Sequence, residues 1–235
     1  MITLCTYFTD DMSRSALLLA DSAQDKGIER VVMYGPDALG SDFQMICSEI
    51  LSKPRGAGYW IWKPYIILRT MTEMEDGDLL MYSDAGVLIN HHTDYLLSSM
   101  DQELLLFGSL NKHRMWIKQE CRAHIRGAYI QEMEQCQASV IMLRVGEFTR
   151  RFITEWLTWC MVPGMIDDNY QPDLQQPDFI EHRHDQAILT EMAVKYEIKL
   201  HWWCTQYSKY RPAHYHDNFP SPFFTHHRKR NNEYI

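Results

Sequence analysis

The 235-residue chain has no uninterrupted apolar run near the roughly 18 to 20 residues that a bilayer span needs, so no transmembrane segment is expected. Its start lacks a basic stretch ahead of an apolar one, because Met1 to Phe8 runs straight into Thr9-Asp10-Asp11. That excludes a signal peptide by pattern and predicts a cytoplasmic protein. Close cysteine spacing is also missing: Cys5, Cys47, Cys121, Cys136, Cys160 and Cys204 form no C-x-x-C pair. Neither a disulfide framework nor a cysteine zinc site is expected, and the thiols read as free packing residues. Basic excess is lacking as well, since the formal net charge is −8, which argues against a nucleic-acid partner. No G-x-x-x-x-G-K-[ST], H-E-x-x-H or G-x-S-x-G occurs, so P-loop, zincin and α/β-hydrolase chemistries find no support. Gly56-Ala57-Gly58 meets Ile61 where a dinucleotide fingerprint needs its third glycine, and no strand leads directly into it.

What is present is enough apolar material for one large core: 46% hydrophobic and 12% aromatic residues against 23% charged ones. Ile2 to Phe8 reads as a strand, Ala16 to Ala23 as part of a helix ended by Gly27, and Arg30 to Gly35 as a second strand. Phe43 to Leu51 and Tyr65 to Met71 follow as helices, the second started by Pro64. Leu79 to Tyr82 is wholly apolar, as in the middle of a parallel sheet. This alternation predicts an α/β fold with a mostly parallel central sheet and helices on both faces. Strands are expected at Leu104 to Phe107 and Ser139 to Leu143, and helices at Glu147 to Met161 and Gln186 to Lys195. Residues 162 to 182 hold Pro163, Pro172 and Pro177 and read as a long, functional loop.

Open α/β sheets bind ligands beyond the carboxyl ends of their strands, and this rule sorts the acids. Asp76-Gly77-Asp78 precedes its strand and reads as a turn, whereas Asp84 in Asp84-Ala85-Gly86 follows the strand and emerges on the ligand edge. There it can meet a metal-bridged phosphate or a sugar, or simply cap a turn. Lys63, between aromatic residues at a helix start, can join the helix N-terminus in holding an anion or stay solvated. His182-Arg183-His184-Asp185-Gln186 opens a helix with five polar groups, among which Asp185 can serve as a base, as an acceptor from sugar hydroxyls or as an N-cap. Residues 201 to 235 carry a net +3 against −11 for the rest, and five of the eleven histidines. If Phe219, Phe223 and Phe224 anchor this tail, His226-His227-Arg228 can supply a metal ligand and a phosphate clamp.

The ordered set Arg55-Gly56-x-Gly58-Tyr59-Trp60-x-Trp62-Lys63-Pro64, Gly77-Asp78, Tyr82-x-Asp84-Ala85-Gly86, His182-Arg183-His184-Asp185-Gln186 and His226-His227-Arg228 resembles small glycosyltransferases of the GT-A fold. Such enzymes occur in bacterial surface-polysaccharide loci and large algal viruses. The resemblance spans nearly the whole chain and implies a single GT-A-like, Rossmann-like domain, with residues 1–90 as a nucleotide-binding half and 91–235 as an acceptor-side half plus tail. It further implies a nucleotide-diphosphate-sugar donor (UDP-sugar favoured, GDP- or dTDP-sugar possible), a glycan or glycolipid acceptor, and a divalent cation, Mn²⁺ or Mg²⁺. Here the metal-binding D-x-D is reduced to Asp84-Ala85-Gly86, without its second carboxylate.

On this resemblance Thr6 and Tyr7 meet the nucleobase, and Asp84 binds ribose or, with His226 or His227, the metal. Trp62, Ala85, Gly86, His184 and Gln186 contact the nucleotide sugar, and Lys63 and Arg228 neutralise the diphosphate. Asp185 is the base if the reaction inverts the anomeric centre and orients the sugar if it retains it. Two other classes use the same residues: a metal-dependent phosphohydrolase acting on nucleotide sugars, and a non-catalytic carbohydrate-binding domain of the same shape.

Overall fold

The computed structural model describes residues 1–126, 133–227 and 229–233. Eight strands are described: β1 (Ile2–Tyr7), β2 (Arg30–Tyr34), β3 (Leu79–Ser83), β4 (Val87–Ile89), β5 (Leu104–Lys112), β6 (Glu134–Arg144), β7 (Leu200–Trp202) and β8 (Phe224–His226). The longer helices are α1 (Ser13–Ser22), α5 (Trp62–Met71), α7 (Gln119–Arg126), α8 (Glu147–Met161) and α9 (His184–Lys195). Between them lie the short α2 (Ser41–Ile46), α3 (Ser48–Leu51), α4 (Gly56–Tyr59) and α6 (Asp94–Leu97).

Six strands form one sheet in the order β2-β1-β3-β6-β5-β7. β1 pairs in parallel with β2 and β3, β5 pairs in parallel with β7, and β6 runs antiparallel between β3 and β5. The expectation of a mostly parallel sheet therefore holds. Chain order reverses at β1, whose neighbours are β2 on one side and β3 on the other, so the crevice beyond their carboxyl ends is where a ligand belongs.

Side-chain alternation explains why β1 and β3 read as unbroken apolar runs: both faces are covered. Cys5, Tyr7, Leu80 and Tyr82 point into a core completed by Ile66 and Ile67 of α5, Phe152 and Trp156 of α8, and Ile188 and Leu189 of α9. Ile2, Leu4 and Met81 face the other way, toward Leu19 and Ala23 of α1 and the aromatic cluster Phe219, Phe223 and Phe224. All six cysteines are free and buried, as their spacing predicted. Burial pushes the Cys5 thiol up to about 12, so it stays protonated.

The Asp76-Gly77-Asp78 turn is structural. Asp78 meets the N-terminal amine at 3.4 Å, and Asp76 pairs with Arg150 at 3.3 Å. Residues 162–183 form the expected long loop, broken by one 3₁₀ turn at Pro172–Leu174. The fully buried Lys118 pins it, donating to Asp167 Oδ1 at 2.6 Å and to the carbonyls of Asp167 and Asn169. The C-terminal segment is anchored rather than loose. β8 pairs with β4, and Asn231 bonds the backbone of Asp10 and the hydroxyl of Ser13. No described helix is long and apolar enough to cross a membrane.

Candidate active site

A cleft of about 520 Å³ opens beyond the carboxyl ends of β1 and β3. Its walls come from the turns after those strands, the segment before α5, the start of α9 and the C-terminal segment, so both halves of the sequence contribute.

At its floor lies a charged bridge. Lys63, in the first turn of α5, is 2% exposed and places Nζ 2.9 Å from Asp185 Oδ2, 3.4 Å from Asp84 Oδ1 and 3.0 Å from the carbonyl oxygen of Ala138, to which it donates. Tyr82 adds a 2.5 Å hydroxyl bond to Asp84 Oδ1. A buried lysine is tolerable here because two carboxylates compensate its lost hydration, and they hold its ammonium above the ordinary lysine value. Asp185 is itself almost fully buried, and burial pushes its carboxyl up to about 6 while Lys63 opposes the rise. Asp84 keeps a side chain 33% exposed and is the accessible carboxylate of the three-residue bridge.

Beside the bridge, Tyr7 and Trp62 stack with ring centroids 4.1 Å apart. Trp62 is fixed by its indole N–H donating to the Gly56 carbonyl at 2.9 Å. The preceding segment is unusual: Gly56, Ala57, Gly58, Tyr59 and Trp60 all have φ between +49° and +96°. Non-glycine residues pay about 1 to 2 kcal/mol each for that conformation, so packing must hold it. His184, also left-handed at φ +48°, supplies that packing by stacking on Tyr59 at 4.7 Å and lying 5.5 Å from Trp60. Its Nδ1 in turn bonds the Ile166 carbonyl at 2.7 Å, so the long loop supports the cleft wall through this ring.

Among the described residues three arginines line the cleft. Arg55 pairs with Asp168 at 3.3 Å and Glu181 at 2.8 Å, Arg183 pairs with Glu181 and lies over Trp116, and Arg230 pairs with Asp11. Each guanidinium has five N–H donors, so these carboxylate partners, two for Arg55 and one each for Arg183 and Arg230, do not exhaust it for an anionic ligand.

Of the residues singled out in the sequence, Tyr7, Trp62, Lys63, Asp84, Ala85, Gly86, His184, Asp185, Gln186 and His226 line this cleft. Thr6 does not. Successive side chains on β1 alternate, and its buried hydroxyl falls outside the cleft lining that Tyr7 joins. His227 is absent from the walls too; its backbone N–H donates to Gly86 and its ring accepts from the Lys229 N–H. Arg228 lies outside the described residues. Lys63 differs from its expected part as a free diphosphate clamp, because its three donors meet Ala138, Asp185 and Asp84. Arg55, Arg183 and Arg230, which also line the cleft, were not among the site residues singled out in the sequence. Their signal was present in the Arg55-Gly56 and His182 to Gln186 motifs and in the basic run of the tail.

The described side chains do not assemble a ligand set for a metal. Among the described residues no cluster of three His, Cys, Asp or Glu side chains is placed to ligate one. The Oδ1 atom of Asp84 already faces Lys63 and Tyr82, which leaves one carboxylate oxygen where a D-x-D would offer two groups.

No protein-family model matches the sequence, and no curated protein matches it. Two solved structures share its architecture over nearly their full lengths. One is mouse xyloside xylosyltransferase 1 in its apo form, with TM-score 0.54, 10% identity, 96% of this chain and 97% of that chain covered. The other is a glycosyltransferase involved in glycosylation of the major capsid of PBCV-1, with TM-score 0.51, 12% identity, 96% and 92% covered. The fold is that of the GT-A glycosyltransferases.

Proposed function

We propose that the chain is a glycosyltransferase that moves a sugar from a nucleotide-diphosphate donor to an acceptor hydroxyl. The observation that carries this is the Asp84–Lys63–Asp185 bridge at the floor of a cleft lined by a Tyr7–Trp62 stack and by Arg55, Arg183 and Arg230. An aromatic pair, cationic walls and inward carboxylates match the three parts of a nucleotide sugar: base, diphosphate and polyol.

In this reading the base of a UDP-sugar lies against the Tyr7–Trp62 pair, in the half formed by residues 1–90. Arg55 and Arg230 meet the diphosphate, where negative charge grows as the glycosidic bond breaks. Asp84 accepts from ribose or sugar hydroxyls. Asp185 takes the proton of the attacking acceptor hydroxyl, since a carboxyl with a pKa of about 6 is largely ionised at neutral pH yet remains a better base than a solvated aspartate. Lys63 keeps Asp185 ionised and fixed. No step is routed through a metal, because the donor set argues against a protein-held one.

Isothermal titration with UDP-, GDP- and dTDP-sugars, each with and without Mn²⁺, tests the reading. The expected result is saturable binding of one nucleotide class, lost with Asp84→Ala. If no nucleotide sugar binds under any condition, the transferase reading fails; binding unchanged by Asp84→Ala removes the site from this cleft.

A further inference from the structure

Resting on the transferase reading, we propose that the donor diphosphate is bound and discharged without a divalent cation. The Lys63 ammonium takes the ion's place at Asp84, and Arg55 and Arg230 take its place on the phosphates. The resemblance to GT-A glycosyltransferases implies Mn²⁺ or Mg²⁺ beside this carboxylate, and the residues present disagree with that implication.

Each carboxylate among the described residues that line the cleft already faces a basic side chain. Asp84 and Asp185 face Lys63 at 3.4 Å and 2.9 Å, and Asp11 pairs with Arg230. With the Ala138 carbonyl oxygen at 3.0 Å, three oxygens surround Lys63 Nζ, the ligand type that a hard cation takes. The two carboxylates keep this buried lysine protonated, so its charge is a fixed part of the site. A divalent ion on the other oxygen of Asp84 would share one negative charge with that ammonium and meet its repulsion. Gly86, where a D-x-D has its second acid, brings no side chain. Asp185 is 3% exposed, too enclosed for an ion that keeps several of its waters.

The phosphates find their compensation elsewhere in the cleft. Arg55 and Arg230 line it with side chains 39% and 63% exposed, so N–H donors of both can reach a ligand. A guanidinium fork matches two phosphate oxygens at once. In transfer, the bond from the anomeric carbon to the diphosphate oxygen breaks with its electron pair left on that oxygen. The acceptor oxygen bonds the carbon, and its proton goes to Asp185. The diphosphate thereby gains one negative charge, which side chains already in place stabilise.

Isothermal titration of UDP, GDP and dTDP into the full chain in EDTA, repeated in Mn²⁺, tests this, with Mn²⁺ uptake followed by electron spin resonance. One nucleotide should bind in EDTA with an affinity within about twofold of that in Mn²⁺, and the chain should take up no more Mn²⁺ than the nucleotide alone does. The double variant Arg55→Gln with Arg230→Gln should weaken binding in EDTA at least about tenfold, or about 1.4 kcal/mol. Neither side chain is buried, so the variant should fold, which circular dichroism checks. Binding that requires Mn²⁺, or that Mn²⁺ tightens several-fold, overturns the inference and leaves the transferase reading standing. Binding in EDTA that ignores the double substitution overturns it as well. A chain that binds no nucleotide in either condition removes the transferase reading, and this inference with it.

Discussion

Lys63 Nζ and Asp185 Oδ2 lie 2.9 Å apart with both side chains under 5% exposed, and a third group, Asp84, approaches the same ammonium from the open side of the cleft. An ion pair this buried gains little net stability, because desolvation offsets its attraction. Its value is positional: it places an ionisable carboxylate at the floor of a cleft and tunes it.

The first prediction concerns pH. Asp185 titrates at about 6 against an ordinary 3.8, so the catalytically useful, ionised fraction rises with pH through that value. Transfer should show an acidic limb with a midpoint near 6 in kcat, and Asp185→Asn should abolish both the limb and most of the rate. The stability sign is opposite. A raised carboxyl pKa means the folded chain holds this proton more tightly, so the Asp185 contribution declines as pH climbs from 3.8 toward 6. Thermal unfolding of the native chain and the Asn variant across that range checks it.

Lys63→Met should move the same limb upward by about one pH unit or more, since removing an adjacent cation raises a carboxyl by roughly that amount. Breaking a buried pair from one side should also cost about 3 to 5 kcal/mol, read from denaturant unfolding.

The C-terminal segment makes a separate prediction. Asn231 and Arg230 fasten it to Asp10, Asp11 and Ser13 at the cleft edge. Truncation after His227 should weaken UDP binding about tenfold, and Arg230→Ala should account for part of that loss. Unchanged affinity in calorimetry would leave the segment structural.

Gly58→Ala tests the left-handed turn. At φ +96° an added Cβ would lie 2.8 Å from the Leu51 Cα, a backbone atom that cannot swing aside. We expect a loss of about 2 kcal/mol or more, and a weaker Trp62 contact to nucleotide, measured by unfolding and by tryptophan fluorescence on UDP addition.

The central fold was legible because β1 and β3 are apolar on both faces and are punctuated by turns and amphipathic helices, which is a local signal. β4 and β8 were not, since three-residue strands such as Phe224–His226 exist only through pairing with a partner distant in sequence. The site divides in the same way. Asp84 and Asp185 stand out in the sequence by their positions after a strand and before a helix, and both line the cleft. Lys63 reads in the sequence as a diphosphate clamp, and its contacts with Asp84 and Asp185 were not legible because those carboxylates arrive from the turn after β3 and from α9. Of the pair Thr6 and Tyr7, strand alternation leaves Tyr7 alone lining the cleft, and Arg55 was not singled out because its partners Asp168 and Glu181 arrive from the long loop.

The most direct test is a crystal structure of the chain with UDP. The uracil should lie against Tyr7 and Trp62, the ribose beside Asp84, and the diphosphate within hydrogen-bond reach of Arg55 or Arg230. A nucleotide bound outside the cleft at the ends of β1 and β3 would contradict this placement.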